Sequence, residues 1–122
     1  MEATELRIGN FLNYKNTDDL ATVELIHKKH YDCRDEFGNF TPNGNYEPIP
    51  LTKEWFEKFG YYDVNMPSHF TKDEMTIDEH KFWDCNGMFI DDKNGVRIKY
   101  VHQLQNLYFA LYQKELTIKN QQ

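Results

Sequence analysis

The stretch Tyr100-Val101-His102-Gln103-Leu104-Gln105-Asn106-Leu107-Tyr108-Phe109-Ala110-Leu111-Tyr112 decides the fold of this chain. Its apolar residues return at the i, i+3, i+4, i+7 spacing of one helical face, namely at Leu104, Leu107, Tyr108 and Leu111. Such a helix is stable only when that face packs against another element. We therefore predict a helix over residues 101–116 that closes a folded protein.

A β-meander is predicted before this helix. Asn-Gly pairs, which favour tight hairpin turns, occur three times in the chain. A two-residue loop at the second pair would place Cys85 opposite Met88 and Trp83 opposite Ile90. The residues after the third pair alternate apolar and polar side chains, as a half-buried strand does. These patterns predict an antiparallel meander over residues 74–100.

The first half of the chain, residues 1–50, carries short apolar segments separated by polar turns. These segments predict strands at residues 10–14, 21–26, 31–35 and 39–40. Short strands joined in this way form a curled antiparallel sheet, and both a split sheet and a partial barrel stay open for this half. The predicted fold class is α+β, an antiparallel sheet with one short central helix and one longer C-terminal helix packed on it.

The short central helix is predicted at residues 51–60. Thr52 suits its N-cap, and Gly60 suits the position after its C-cap. Its apolar residues would form the buried side: Trp55, Phe56 and Phe59. A helix of two turns needs a sheet to dock on. The residues after it, 61–71, lack periodicity and are predicted to form a loop.

The composition limits the functional classes. Aromatic residues make up 16% of the 122 residues, enough to build the core of a single domain over residues 1–122. Asp and Glu outnumber Lys and Arg by 20 to 14, which argues against nucleic acid as a partner, because phosphate binding needs cations. The sequence shows no export signal and no apolar run of membrane-spanning length. We expect a cytoplasmic protein with reduced cysteines and no membrane partner.

Metal-ligating and catalytic residue types are present, but their spacing is not typical of a site. The candidates for a zinc site are His27, His30 and Cys33, with His80 and Cys85 further along the chain. On a strand, residues three apart point to opposite faces, so these side chains would diverge. The carboxylates around Asp84, Asp91 and Asp92 match predicted turns, where Asp caps backbone groups. We predict no catalytic residue, no metal site and no cofactor.

Two groups of residues are candidates for binding. One is the polar side predicted for the last helix, formed by His102, Gln103, Gln105 and Asn106. Amide and imidazole groups suit directional hydrogen bonds to a partner, and the alternative is that they bond the backbone of the sheet beneath them. The other group is Tyr61 and Tyr62 in the predicted loop, since tyrosine is enriched at interfaces. A homodimer through an aromatic face is one possible assembly.

Three blocks of the chain resemble a family of small uncharacterised proteins from genomes, prophages and phages of gut Bacteroidetes. The blocks are Glu5-Leu6-Arg7-Ile8-Gly9-Asn10, then Pro48-Ile49-Pro50-Leu51-Thr52-Lys53-Glu54-Trp55 with Phe59-Gly60, and residues 100–111 with Glu115-Leu116. The resemblance implies an accessory gene of a mobile element in a bacterial cytoplasm, and it implies no chemistry.

We therefore expect a non-enzymatic accessory protein that binds a host or phage protein. A small-ligand or nucleotide binder is the first alternative and would need His102, Gln105 or Asn106 to converge on a pocket. A metal-dependent hydrolase is the second, and would need Asp84 and the histidines at one point. A nucleic-acid binder is the third, and would need the lysines and Arg97 on one face.

Overall fold

The structure is a computed structural model that describes residues 5–26, 31–35, 37–41, 46–63, 69–80, 88–91 and 93–118. The strands in these ranges are β1 Phe11–Tyr14, β2 Leu20–Ile26, β3 Tyr31–Asp35, β4 Phe40–Thr41, β5 Tyr46–Pro48, β6 Tyr62–Asp63, β7 His69–Lys72, β8 Met75–His80, β9 Met88–Asp91 and β10 Arg97–Ile98. The helices are α1 Lys53–Lys58 and α2 Val101–Tyr112. The predicted α+β class, with one short and one C-terminal helix, is confirmed.

The chain forms two compact units, each discontinuous in sequence. The first unit contains Met1–Ile49 and Tyr100–Glu115, and the second contains Pro50–Lys99 and Leu116–Gln122. Each unit has its own antiparallel sheet, and neither sheet closes into a barrel over the described residues. The described strands of residues 1–50 form one sheet, so this half is neither split nor a closed barrel. The single domain over residues 1–122 stays a prediction.

The sheet of the first unit has the order β4-β3-β2-β1-β5. Its registers bring small and apolar residues onto one face, with Leu12 opposite Ala21 and Val23 opposite Cys33. Burial alternates along β2, as the two-residue period of a strand requires. The buried cluster on this face consists of Leu6, Leu12, Ala21, Val23, Cys33 and Tyr46.

A tight turn leads the chain into β1. Gly9 has φ of +98°, a conformation that favours glycine, and its N–H donates to the carbonyl of Val23 at 2.8 Å. The N–H of Val23 in turn donates to the carbonyl of Asn10 at 2.9 Å. The Asn10 side chain closes the turn by accepting the N–H of Arg7 at 2.7 Å. Residues 5–10, the first of the three blocks that carry the family resemblance, therefore contain a turn that is hydrogen-bonded to the backbone of β2.

Helix α2 packs against β1 with a face that overlaps the predicted one only in part. Its buried residues are Val101, His102, Leu104, Gln105 and Tyr108, whereas Leu111 is 41% exposed. The helix ends at Tyr112 and not at residue 116, because Gln113 adopts a left-handed conformation with φ of +60°. Leu104 and Tyr108 are buried as predicted, but polar residues also belong to the packed face, which is rotated away from Leu111.

The sheet of the second unit has the order β10-β9-β8-β7-β6 and confirms a meander. Trp83 and Cys85, which the predicted hairpin register used, lie outside the described residues. Ile90 has Asp78 of β8 on one side and Arg97 of β10 on the other, so the partner predicted for Ile90 is wrong. The predicted loop at residues 61–71 is also wrong in part, because β6 and the start of β7 occupy it.

Helix α1 begins after Thr52, as predicted, although no side-chain hydrogen bond caps it. Its end is a Schellman motif: the N–H of Tyr61 donates to the carbonyl of Phe56, and the N–H of Gly60 donates to that of Glu57. Gly60 has φ of +90°, which confirms its predicted position after the C-cap. The motif turns the chain sharply into β6.

Phe56 is the centre of the second unit's aromatic core. Its ring is fully buried and stacks on Phe70 of β7 with centroids 4.4 Å apart and an interplanar angle of 2°. It meets Phe89 of β9 and Tyr61 edge-on at 5.0 and 5.3 Å. Edge-on and offset contacts of this kind stabilise aromatic clusters beyond the area they bury. Docking on these rings supports a helix too short to persist alone.

No helix among the described residues combines the length and apolar character needed to cross a membrane.

We predict that Phe56→Ala lowers the free energy of unfolding by about 3–5 kcal/mol, because it removes a ring buried among three others. Urea denaturation followed by fluorescence measures the change. Glu57→Ala, at the exposed neighbouring position, is the control and should change stability by less than about 0.5 kcal/mol. Equal effects of the two substitutions would contradict the assignment of Phe56 to the core.

Candidate functional site

Gln105 uses both atoms of its amide to hold the start of β1. Its Oε1 accepts the N–H of Phe11 at 2.8 Å, and its Nε2 donates to the carbonyl of Gly9 at 3.0 Å. Strand β5 pairs with β1 only at Leu12–Tyr14, and Gln105 bonds the β1 backbone just before that pairing begins. Gln105 is 1% exposed. Gln105 therefore follows the alternative stated above, in which the amides of the last helix bond the backbone of the sheet beneath it and not a partner.

Asn106 continues the same arrangement one residue further along α2. Its Oδ1 accepts from Asn10 Nδ2 at 2.8 Å and from Arg7 Nε at 3.1 Å. Its Nδ2 donates to the carbonyl of Glu5 at 3.0 Å. Asn106 therefore also bonds within the fold, to the segment that precedes β1.

Arg7 closes this polar cluster. Its guanidinium donates to both carboxylate oxygens of Glu115, and its Nη2 also donates to the carbonyl of Gln105 at 3.3 Å. The guanidinium carbon lies 4.2 Å from the ring centroid of Phe109, in cation–π geometry. We call Arg7, Asn10, Gln105, Asn106 and Glu115 the α2 clasp. It joins residues 5–10 to α2 and Glu115, and so connects the two chain segments that make up the first unit.

His102 lies on the packed side of α2 and not on an outer polar side, so its predicted exposure is wrong. It is 1% exposed, and neither ring nitrogen has a hydrogen-bond partner among the described residues. Its ring stacks on Tyr100 with centroids 5.9 Å apart and an interplanar angle of 7°. Burial lowers the pKa of His102, and the charge of Glu5 opposes this only in part. The neutral imidazole behaves as a packing group.

The remaining predicted binding residues separate into buried and exposed positions. Gln103 accepts the backbone N–H of Tyr100 at 3.1 Å, which caps the start of α2. Tyr61 is 4% exposed, and its hydroxyl lies 3.1 Å from the sulfur of Met75, so its predicted exposure is wrong. Tyr62 is 61% exposed, in β6 and not in a loop.

The predicted metal candidates fall mostly outside the described residues, which exclude His27, His30, Asp84 and Cys85. Within the described part of the chain, no three His, Cys, Asp or Glu side chains are grouped to hold a metal ion. Cys33 is fully buried, and desolvation raises the pKa of its thiol to about 12. The thiol is therefore neutral at physiological pH and has neither the charge of a metal ligand nor that of a nucleophile.

Asp91 performs the turn-capping role expected of the carboxylates. Its Oδ2 accepts from Asn94 Nδ2 at 2.7 Å, and its backbone carbonyl accepts the N–H of Gly95 at 2.8 Å. Asp91 is itself fully buried, which distinguishes it from an ordinary solvated turn residue.

The turn between β3 and β4 is the most highly cross-bonded exposed feature of the first unit. Asp35 Oδ1 accepts the N–H groups of Phe37 and Asn39 at 2.9 and 2.8 Å. These bonds lower the pKa of Asp35, and the bond from the N–H of Asn39 contributes most to the shift. Arg34 donates to the carbonyl of Gly38 at 2.7 Å and forms a two-pronged ion pair with Glu24. The backbone of this turn is thus held on both sides.

Phe37 stands at the tip of that turn with 82% of its surface exposed, more than any other large apolar side chain among the described residues. Its ring is presented on a fixed backbone, which is the arrangement of an interface anchor. Sequence reasoning located the turn near Gly38 but missed Phe37. The available signal was a bulky aromatic residue inside an otherwise polar turn.

No protein-family model, curated protein or solved structure matches this chain.

We predict that Gln105→Met lowers the free energy of unfolding by about 2–6 kcal/mol, because two part-buried backbone groups are left without a partner at about 1–3 kcal/mol each. Chemical denaturation measures this. The matched change Gln103→Met removes the capping bond to the N–H of Tyr100 at a half-buried position and should cost only about 1 kcal/mol. A smaller loss for Gln105 than for Gln103 would contradict the clasp.

We predict that His102 makes the fold less stable in acid. Its folded pKa is below the unfolded value of about 6.5, so the unfolded state binds the extra proton, and stability is lost as the pH falls below that value. Placing the charge in the first turn of α2 adds an unfavourable interaction with the helix dipole. The measurement is the free energy of unfolding against pH.

His102→Leu is the comparison for that titration. The free energy of the variant minus that of the wild type should stay constant above neutral pH and rise in acid by up to about 1.4 kcal/mol per pH unit. Parallel curves for the two proteins at all pH values would refute the assignment.

Proposed function

We propose that this chain is a non-enzymatic accessory protein of a mobile genetic element and that it acts by binding another protein through Phe37. The exposed ring on its cross-bonded turn is the observation that carries the proposal. Among the large apolar side chains of the described residues, Phe37 is the most exposed, at 82%.

The energetics favour an anchor at this position. Burying a phenylalanine side chain in a partner's pocket contributes roughly 1.5–3 kcal/mol. A loop that must be ordered on binding loses part of that gain, but here Asp35 and Arg34 already hold the backbone. Aromatic residues are also enriched at protein interfaces. The ring therefore offers affinity with little loss of conformational entropy.

The biological setting of the proposal comes from the resemblance of the three blocks to proteins of prophages and phages of gut Bacteroidetes. A host or phage protein is accordingly the partner that we propose. The clasp supports a binding role in an indirect way, since it engages the amides of Gln105 and Asn106 within the fold and leaves recognition to other surfaces.

The test is affinity capture with purified tagged protein from Bacteroidetes lysate, before and after phage infection. We expect a stoichiometric partner whose affinity falls about tenfold or more with Phe37→Ala, which corresponds to about 1.4 kcal/mol. Leu111→Ala is the matched control, because it removes another exposed apolar side chain of the same unit and should leave binding unchanged.

Asp35→Ala tests whether the hydrogen-bonded backbone of the turn contributes to binding, because it removes the acceptor of the Phe37 and Asn39 N–H groups. It should weaken binding through a slower association or a larger entropic loss while Phe37 itself is intact. A partner bound equally by wild type and Phe37→Ala would overturn the proposed site. A wild-type homodimer in sedimentation that Phe37→Ala dissociates would keep the site but replace the partner with a second copy.

A further inference from the structure

The turn between β9 and β10 contains an Asn-Gly pair at Asn94-Gly95. Asn-Gly pairs are chemically labile because glycine offers little steric hindrance to attack by its own backbone nitrogen. In the reaction, the Gly95 nitrogen forms a bond to Cγ of Asn94 and loses its proton, while the Cγ–Nδ2 bond breaks and ammonia leaves. Water then opens the cyclic imide to aspartate or isoaspartate, so the net change is amide plus water to carboxylate plus ammonium.

Both reacting groups are held by one residue in this structure. The attacking nitrogen of Gly95 donates to the backbone carbonyl of Asp91 at 2.8 Å. The departing amide of Asn94 donates to the Asp91 carboxylate at 2.7 Å. The N–H of Asp91 bonds to the carbonyl of Val96 at 2.9 Å, which closes the turn. The Gly95 nitrogen must lose the proton that it donates to Asp91 in order to attack, and the Asn94 amide is held by the carboxylate of the same residue.

We propose that Asn94-Gly95 is a deamidation site that the folded turn suppresses, and that its acidic product opens the turn. The product lacks the N–H that Asn94 donates and places a second carboxylate beside that of Asp91, which is fully buried. Two carboxylates at hydrogen-bond distance repel each other strongly when one of them is desolvated. The modification therefore prevents the turn from closing again.

The consequence reaches the edge strand of the second sheet. Strand β10 pairs only with β9 in the sheet order, through Arg97–Ile90 and Ile98–Phe89. The Asp91 turn joins these two strands and sets their register. Opening it frees the start of β10 from β9 and weakens the hold on the buried Ile98, while the Lys99 carbonyl after the strand still accepts the N–H of Leu51 at 2.9 Å.

The experiment measures amide-to-acid conversion at Asn94 by peptide mass spectrometry of the full chain, incubated at mildly alkaline pH with and without urea. We expect slow conversion in the folded protein and fast conversion in urea. Asp91→Ala should accelerate conversion in the folded protein about tenfold, because it removes a hydrogen bond to a charged acceptor.

Asp35→Ala is the matched control, since it removes the turn carboxylate of the other unit. It should leave the rate at Asn94 unchanged. Equal rates with and without urea, or equal acceleration by both substitutions, would overturn the proposal, because the local turn would then not govern the reaction.

Asn94→Asp tests the second half of the proposal and remains informative if Asp91→Ala does not fold. This variant mimics the product, and we expect amide hydrogen exchange at Gly95 and Ile98 to become at least about tenfold faster than in Asn94→Gln, which keeps a neutral side-chain donor. Unchanged exchange in Asn94→Asp would show that the product does not open the turn.

Discussion

The bidentate contact of Gln105 with Gly9 and Phe11 is the interaction on which the first unit depends. A helix and a sheet normally meet through apolar side chains, and the backbone at a strand's end is then left to water. Here a buried amide reproduces the pair of hydrogen bonds that a neighbouring strand would make. Because an unpaired buried backbone group costs more than the bond itself contributes, this contact fixes where α2 sits along β1.

The rest of the clasp extends that constraint to both ends of the unit's chain. Asn106 binds the segment before β1, and Arg7 joins it to Glu115 beyond the end of α2. The unit combines residues 1–49 with residues 100–115, so a connection of this kind stabilises two segments that are far apart in sequence. In the second unit, the contact between helix and sheet is made by aromatic rings around Phe56, which need no directional hydrogen bonds.

Two turns show how one residue type produces different outcomes. Asp35 and Asp91 each accept hydrogen bonds from the turn that follows them. The turn at Asp35 projects an aromatic ring into solvent, which creates a surface for recognition. The turn at Asp91 restrains a reactive Asn-Gly pair and anchors an edge strand. The side chains that the turn carries, and the burial of its aspartate, decide which role it serves.

Local features of the fold followed from the sequence because they depend on neighbouring residues. Threonine and glycine placed α1, short apolar segments between polar turns placed β2 and β3, and side-chain alternation placed the meander. The register of Ile90 did not follow, because a strand with two neighbours takes its partners from outside the local turn. The packed face of α2 was also misplaced in part, since the hydrophobic pattern ignores amides that bury themselves by bonding backbone.

The sequence by itself determined the α+β class, the start of both helices and the C-terminal cap of α1, since capping and side-chain alternation act over a few residues. Only the tertiary structure decided that His102 and Gln105 are buried, that Tyr61 is covered and that Phe37 is exposed. Exposure depends on which distant segment lies against a side chain, and the bonds of Arg7 with Glu115 join residues at opposite ends of the chain. That pairing is a property of the folded backbone and is not encoded in any local pattern.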